Sequence, residues 1–265
     1  MQLQNADGTT TWYEEHGDPQ NPTMVLLHGI GADHRMWQPQ IERYPSEGYH
    51  VLAMDMLGHG KSSKVKSLTL QDWHNQINDL LQAKGVDRCI LMGVSMGGVI
   101  ALSYVAQYPE KVARLIVSDT FGELKTFQAK MIGTAAVFGF RVYKLLGHKM
   151  LANGMASTYK APFAQEARAY FEAVSLEVDF DQLVLARKAI NQIDILDQLR
   201  TLSVPSLVMA GDQFGAWFVE MNKNIADALQ DSRFWPAPVD RNQPRATRLQ
   251  SMPAPPEQKE LCRSK

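Results

Sequence analysis

The sequence GVSMGG at 93–98, a serine between glycines, is the pattern in this chain that most clearly suggests catalysis. It follows an apolar run and leads directly into a helical pattern, and such a strand–turn–helix holds a serine in a strained, exposed turn. Glycines are expected at 93 and 97 because side chains there would collide with the sharply turning backbone, and Gly98 would let the new helix sit close. The pattern predicts Ser95 as a nucleophile; the alternative is a buried serine that caps the helix.

A second glycine-rich turn could complete the chemistry of Ser95. The sequence LLHGIGADHRMW at 26–37 follows an earlier apolar run. Backbone amides in such a turn can point at the negative charge that develops on a carbonyl oxygen under attack. The amides of Ile30 and Met96 are the predicted donors of this oxyanion hole. His28, directly before the turn, is expected to support the loop by hydrogen bonding.

Short apolar runs separated by helical patterns must position these two turns. The runs are TMVLLHG (23–29), HVLAMDML (50–57), RCILMGVS (88–95), ARLIVSDT (113–120) and PSLVMAGD (205–212). Continuous apolar strands that alternate with helices are typical of an α/β fold with a mostly parallel sheet covered by helices on both faces. The polar-led segment TTTWYEEHG at 9–17 is expected to be an antiparallel edge strand.

Residues 121–204 interrupt this alternation, because they contain helical patterns and no convincing strand. Inserted between two strands, they predict a helical lid over the carboxyl ends of the sheet, where open α/β sheets bind ligands. Five apolar residues of the insertion either face a pocket or pack the lid against the body. They are Met131, Val137, Phe138, Phe140 and Met155.

Three of these motifs together resemble the α/β-hydrolase superfamily. They are LLHGIG (26–31) for the oxyanion loop, DMLGHGKS (55–62) for the turn after the next strand, and GVSMGG (93–98) for the nucleophile elbow. The resemblance runs from about residue 10 to about residue 235, and it is greatest to small lidded carboxylesterases and lactonases related to 3-oxoadipate enol-lactonase. It implies that Ser95 attacks a carboxylic ester or lactone and forms an acyl-enzyme without a cofactor.

The acid and the histidine of that family are missing from their usual positions. Relatives carry the acid three residues beyond the glycine of the last predicted strand, where this chain has Phe214, and Asp212 lies two residues too early. Asp119 stands at the alternative acid site that some relatives use, and either aspartate could equally be a turn or capping residue. All seven histidines precede Asp212, so His59 and His148 are candidate bases only by elimination.

The composition of the chain changes abruptly near Trp235. Residues 236–265 hold six of the thirteen prolines and no histidine. Because proline breaks helices, this segment cannot form the closing helix of the family, and we expect a poorly packed tail after a hydrolase domain at 1–235. A shifted reading frame or rearranged terminus would explain it, and we favour that explanation because 219–234 still indicates a family helix and strand. The alternative is true divergence to a protein that does not need the triad.

These observations leave two functional hypotheses. One is a serine hydrolase of esters or lactones that is impaired because a base is missing. The other is a catalytically silent protein of the same fold that binds a small apolar ligand under the lid.

Composition and charge exclude other classes of function. Lys and Arg total 27 against 28 Asp and Glu, a net charge of −1, so we expect neither a nucleic-acid partner nor a membrane partner. No signal segment, membrane span or disulfide framework is evident, which favours a cytoplasmic protein that is a monomer or small homo-oligomer. No Cys/His spacing suggests a metal site. The GKS at 60–62 is not a phosphate-binding loop because Asp55 stands where that motif needs glycine.

Overall fold

The computed structural model describes residues 1–159, 164–211 and 215–237. The strands in these residues are β1 (Gln2–Gln4), β2 (Thr10–His16), β3 (Thr23–Leu27), β4 (His50–Met54), β5 (Cys89–Val94), β6 (Val112–Ser118), β7 (Ser206–Gly211) and β8 (Ser232–Ala237). They form one sheet in the order β1-β2-β4-β3-β5-β6-β7-β8. β1 pairs antiparallel with β2, and β2 antiparallel with β4, whereas every other pair is parallel. The predicted α/β class with a mostly parallel sheet is confirmed.

The central strands are apolar on both faces because both faces are covered. Every residue of β3 and of β4 is buried. Along β3, Val25 and Leu27 point into one core with helix residues such as Trp73 and Ile100, whereas Met24 and Leu26 point into a second core with Trp37. Uninterrupted apolar runs are what a parallel sheet between two helical layers requires. All five predicted apolar runs became parallel strands.

Two strands lie beyond those five runs and the polar-led segment. The segment at 9–17 forms β2, but β2 is not the edge of the sheet, because β1 pairs outside it. β1 has only three residues, QLQ, too few to show a period in the sequence. At the other edge β8 includes Pro236, a residue that edge strands tolerate. Strand β8 therefore continues past the predicted boundary near Trp235, and 238–265 lie outside the described residues.

Helices cover the sheet and fill the predicted insertion. In the described ranges they are α1 (Gln38–Arg43), α2 (Leu70–Ala83), α3 (Met96–Gln107), α4 (Phe127–Leu146), α5 (His148–Ala156), α6 (Gln165–Ser175), α7 (Phe180–Ile190), α8 (Leu196–Leu199) and α9 (Ala216–Ala228). Helices α4 to α8 follow β6 and precede β7, so the described parts of the segment predicted as helical are largely helical. Among all the described residues, no helix is long and apolar enough to cross a bilayer.

The inserted helices contact the loops at the carboxyl ends of the strands. The Asp33 amide, after β3, donates to the Tyr170 hydroxyl on α6 at 2.9 Å. The Val65 amide, after β4, donates to Gln182 Oε1 on α7 at 3.0 Å. Helices α6 and α7 therefore contact loops at the edge of the sheet where Ser95 stands. That the insertion forms a lid stays a prediction.

The five apolar residues of the insertion divide between packing and exposure. Phe140 and Met155 pack against the buried cluster of Leu151, Phe180 and Leu183. Met131 and Phe138, on α4, have 56% and 66% of their surface exposed, and Val137 is half-buried. Phe140 and Met155 therefore pack the insertion together, as one of the two interpretations predicted, whereas Met131 and Phe138 face solvent.

Candidate active site

Ser95 lies between β5 and α3, at the carboxyl end of its strand. Its backbone has φ 54° and ψ −114°, a conformation that residues other than glycine rarely adopt. Within the described residues only Asp119, with φ 52°, is another non-glycine residue at positive φ. The Ser95 side chain is half-buried. Its hydroxyl has no hydrogen-bond partner among the residues that the structure describes, so it does not cap α3.

The three glycines of the turn have the close contacts that the sequence predicted. A Cβ on Gly93 would lie 2.2 Å from the Gly97 carbonyl oxygen, and one on Gly97 would lie 2.1 Å from the Leu27 carbonyl oxygen. A Cβ on Gly98 would lie 2.6 Å from the Thr120 Cβ. Backbone atoms cannot move aside as flexible side chains can, so residues 93 and 97 must be glycine for this turn to form.

Two backbone amides close to Ser95 have no hydrogen-bond acceptor among the described residues. A Cβ on Gly29 would lie 3.6 Å from the Ser95 Cβ, so the loop after β3 borders the serine. In the described part of the chain, the amides of Ile30 and Met96 donate to no backbone or side-chain atom. The Met96 amide is also at the N-terminus of α3, where the helix dipole favours negative charge. These two N–H groups can hold an oxyanion.

His28 supports this loop, as predicted. Its Nδ1 donates to the Gly29 carbonyl at 2.8 Å, and its Nε2 accepts from the Met56 amide at 3.0 Å. This pattern requires the neutral ring, and burial lowers the pKa of His28. The hydrogen bonds therefore join the loop after β3 to the turn after β4.

A second histidine, which the sequence did not single out, fixes the same two loops. Asp55 is buried and accepts from the His34 amide and from His34 Nδ1, each at 2.7 Å, and from the Lys61 amide at 2.8 Å. Burial opposes protonation of His34, but the hydrogen bond and charge of Asp55 outweigh it and raise the pKa of His34. Asp33, His34 and Asp55 could offer three metal-ligand atoms within 4.8 Å of one another. Each already takes part in hydrogen bonds, Asp33 with Arg35, so the cluster serves to fix the loops.

Of the two candidate acids, the structure describes only Asp119. It follows β6, the neighbour of β5, and its Oδ1 accepts from the Gly211 amide at 2.8 Å. Its Oδ2 accepts from the Ser118 hydroxyl at 2.7 Å. Asp212 and Phe214 lie outside the described residues. Asp119 therefore lies at the same edge of the sheet as Ser95, and each of its carboxylate oxygens accepts a hydrogen bond.

Neither candidate base is hydrogen-bonded to Ser95. The Nε2 of His148 donates to the Val178 carbonyl at 2.9 Å, and its ring packs 4.7 Å from the ring of Phe180. His59 is buried, which lowers its pKa to about 3, and its Nδ1 donates to the Leu57 carbonyl at 3.4 Å. A ring with so low a pKa is a weak proton acceptor. All seven histidines fall within the described ranges, and none forms a hydrogen bond with the Ser95 hydroxyl there.

Comparison with known proteins agrees with this fold. Residues 22–215 match the sequence model of the alpha/beta hydrolase fold family. The chain is 25% identical over 219 residues to 3-oxoadipate enol-lactonase 1 of Acinetobacter baylyi, which covers 80% of this chain and 78% of that protein. Among solved structures, the enol-lactonase of Burkholderia xenovorans superposes with a TM-score of 0.78 at 21% identity over 91% of each chain. An esterase from Exiguobacterium antarcticum superposes with a TM-score of 0.77 at 22% identity over 89% of this chain and 90% of that one.

Proposed function

The chain belongs to the α/β-hydrolase family, and we propose that it is a serine hydrolase acting on carboxylic esters or lactones. The observation that carries this proposal is the placement of Ser95 in a strained turn beside the free amides of Ile30 and Met96. Strain of this kind persists where the surrounding structure imposes it, and it is concentrated at functional sites. The names of the similar proteins, an enol-lactonase and an esterase, support the same substrate class.

The reaction begins when Ser95 Oγ attacks the carbonyl carbon and the carbonyl oxygen becomes an oxyanion. The amides of Ile30 and Met96 donate to that oxygen, the alcohol or enol group leaves, and water then hydrolyses the acyl-enzyme. With no histidine hydrogen-bonded to Ser95, the serine proton passes to solvent or to the leaving group. Oxyanion stabilisation and binding alone leave roughly a thousand- to ten-thousand-fold acceleration over water. We therefore propose a slow enzyme that favours activated esters.

A silent binding protein is the competing hypothesis. In that case Ser95 would have no catalytic role, and a small apolar ligand would bind under helices α4 to α7 without being cleaved. The two hypotheses differ in one chemical product, because only the hydrolase forms a covalent bond between Ser95 and an acyl group.

Trapping of the acyl-enzyme tests the proposal. The protein is incubated with para-nitrophenyl acetate, quenched in acid and analysed by peptide mass spectrometry. We expect an acetyl group on Ser95, with release of para-nitrophenol that Ser95→Ala abolishes. The matched control is Ser157→Ala, which removes an exposed hydroxyl bound only to the Gly154 carbonyl and should change neither result. Unmodified Ser95, with equal release by Ser95→Ala, would favour the binding protein.

A further inference from the structure

We propose that the outward face of helix α4 binds the surface of an anionic lipid bilayer. A row of exposed apolar side chains along this helix, and the unpaired cations beside it, carry the inference. The proposal goes beyond hydrolysis and does not depend on it, because neither feature includes Ser95 or the loops around it.

The exposed apolar side chains of the protein are concentrated on α4 and the start of α5. Of the ten large apolar residues that are exposed in the described ranges, seven lie between 127 and 150. Four of them form what we call the apolar stripe of α4: Phe127, Met131, Phe138 and Leu145. Their spacing places all four on one side of the helix, because an α-helix repeats every 3.6 residues. Phe127 and Leu145 are 81% and 87% exposed, and contiguous exposed apolar surface of this kind marks an interaction site.

The opposite side of α4 packs against the protein. Ala129 and Gly133 are the buried residues of the helix, and their positions lie across the helix axis from the apolar stripe. A Cβ on Gly133 would lie 2.9 Å from Asn191 Oδ1, directly after α7, so the two helices are in close contact. The stripe is therefore the outward face of an anchored helix, and no described residue covers it.

The charge of the same segment has a single sign. Residues 124–159 include five Lys or Arg and no Asp or Glu. Lys125 and Lys144 form ion pairs with Asp194 and Asp181. The other three cations are exposed and form no ion pair with any residue that the structure describes: Lys130, Arg141 and Lys149. The net charge of −1, which predicts no membrane partner, averages over this uneven distribution.

An anionic bilayer complements both features. Lys130 and Arg141 each stand three residues after a stripe residue, Phe127 and Phe138, so both cations border the same side of the apolar stripe. Surface helices with Phe or Leu on one face and Lys or Arg beside it lie in the headgroup region, with their apolar side chains at the acyl boundary. Basic residues near an anionic leaflet add electrostatic attraction.

The positive charge argues against two other partners for the apolar stripe. In a symmetric dimer the same surface of each copy would face itself, so Lys130, Arg141 and Lys149 would approach cations of the second copy. The terminal segment 238–265 has six Lys or Arg against three Asp or Glu, so it would bring further positive charge to the helix. An anionic lipid surface is favoured by the charge and by the apolar side chains together.

Co-sedimentation of the full chain with lipid vesicles tests the proposal. Vesicles of phosphatidylcholine and phosphatidylglycerol are compared with vesicles of phosphatidylcholine alone. We expect the partition coefficient of the wild type to be at least about tenfold higher on the anionic vesicles, and to fall at least about fivefold when NaCl is raised from about 0.1 to about 0.5 M. Ser95→Ala should bind as the wild type does, so a failure of hydrolysis and a failure of membrane binding are distinguishable.

Two leucine substitutions separate the apolar stripe from exposed leucine in general. Leu145 belongs to the stripe, whereas Leu176 is exposed directly after α6. Leu145→Ser should lower the partition coefficient on anionic vesicles at least about tenfold, because it removes a leucine side chain that would leave water on binding. Leu176→Ser should leave the partition coefficient within about twofold of the wild type. Neither should lower Tm, which thermal unfolding checks.

A double substitution, Lys130→Gln with Arg141→Gln, tests the cations. Its matched control is Lys66→Gln with Arg233→Gln, which removes the same charge from exposed residues outside α4 and α5. The first pair should weaken binding to anionic vesicles at least about tenfold, and the second less than about threefold.

Three results would overturn the proposal. The first is a wild type that does not bind anionic vesicles, and the second is equal binding by Leu145→Ser and the wild type. The third is a wild-type dimer, seen by sedimentation velocity, that Leu145→Ser dissociates while neither protein binds vesicles. The apolar stripe would then be an interface between two copies of the chain.

Discussion

The Thr120 hydroxyl donates a hydrogen bond of 2.9 Å to the carbonyl oxygen of Ser95. Thr120 follows β6, and its own amide donates to Asn222 Oδ1 on α9 at 2.9 Å. Its side chain also occupies the space beside Gly98. The strained Ser95 backbone is thus held by residues outside its own turn, which is how an unfavourable backbone conformation is maintained in a folded protein.

Thr120→Val should weaken this support, because valine keeps the shape of threonine and loses the hydroxyl. The Ser95 carbonyl would lose a buried donor, so we expect the free energy of unfolding to fall by about 1–2 kcal/mol. Acylation of Ser95 should slow as well. Thr120→Ser, which keeps the hydroxyl, should acylate as the wild type does. Urea denaturation and the rate of para-nitrophenol release measure both effects, and equal acylation by the valine variant would show that the bond does not position Ser95.

Gly97→Ala should be among the most damaging small substitutions in the chain. The added methyl group would lie 2.1 Å from the Leu27 carbonyl oxygen, so either the turn or β3 must shift. We expect a loss of more than about 3 kcal/mol in the free energy of unfolding, or failure to fold.

Gly139→Ala, in α4, is the matched control for Gly97→Ala. Nothing lies within 4 Å of its added methyl group, so helix propensity should stabilise the protein by up to about 1 kcal/mol. Comparable thermal unfolding of the two variants would contradict the proposed crowding at Gly97.

Asp119→Asn should change the rate of ester hydrolysis less than about threefold. In a complete triad, replacing the carboxylate by an amide lowers kcat by about ten-thousand-fold, because the histidine loses its correct tautomer. Asp119 has no histidine to orient; it accepts from Gly211 and Ser118, and asparagine can still accept through its side-chain oxygen. A hundredfold fall in kcat would show that a histidine reaches Asp119 during catalysis.

His59 should make the protein less stable in mild acid. Burial lowers the pKa of its folded form to about 3, whereas an unfolded histidine has a pKa of about 6.5. Below about pH 6.5 the unfolded chain therefore takes up a proton that the folded protein does not. The contribution of His59 to the free energy of unfolding should fall by up to about 1.4 kcal/mol per pH unit as the pH decreases towards the folded pKa.

His59→Gln, which does not titrate, isolates this effect. Urea denaturation of both proteins between about pH 7 and pH 5 should show a shallower loss of stability for the variant. Parallel curves for the two proteins would mean that His59 is protonated as readily in the folded state as in the unfolded one.

The sequence predicted those parts of the molecule that local patterns encode. The five parallel strands are uninterrupted apolar runs bounded by turn residues, and the glycines of the Ser95 turn belong to one short motif. Strand β1 was missed because three residues show no period. The His34–Asp55 pair joins residues 21 positions apart, and nothing in their spacing linked them.

The contacts of the inserted helices with the sheet could not be predicted for a different reason. They join residues far apart in the sequence, such as Asp33 with Tyr170 and Val65 with Gln182, and only tertiary packing brings these together. The hydrogen-bond partners of most histidines could not be predicted from the sequence either. His28, His34, His59 and His148 each hydrogen-bond to a group other than Ser95, and only the structure shows those partners.

The pH dependence of ester hydrolysis tests most directly whether Ser95 acts without a histidine. Initial rates on para-nitrophenyl acetate are measured between about pH 5 and pH 9, with Ser95→Ala as the blank and His148→Gln as a second variant. We predict a slow rate that depends on Ser95, rises steadily with hydroxide and shows no plateau, and that His148→Gln leaves unchanged. A fast, Ser95-dependent rate that levels off with an apparent pKa between about 6 and 7.5 would contradict this account, because it would mean that a histidine accepts the serine proton.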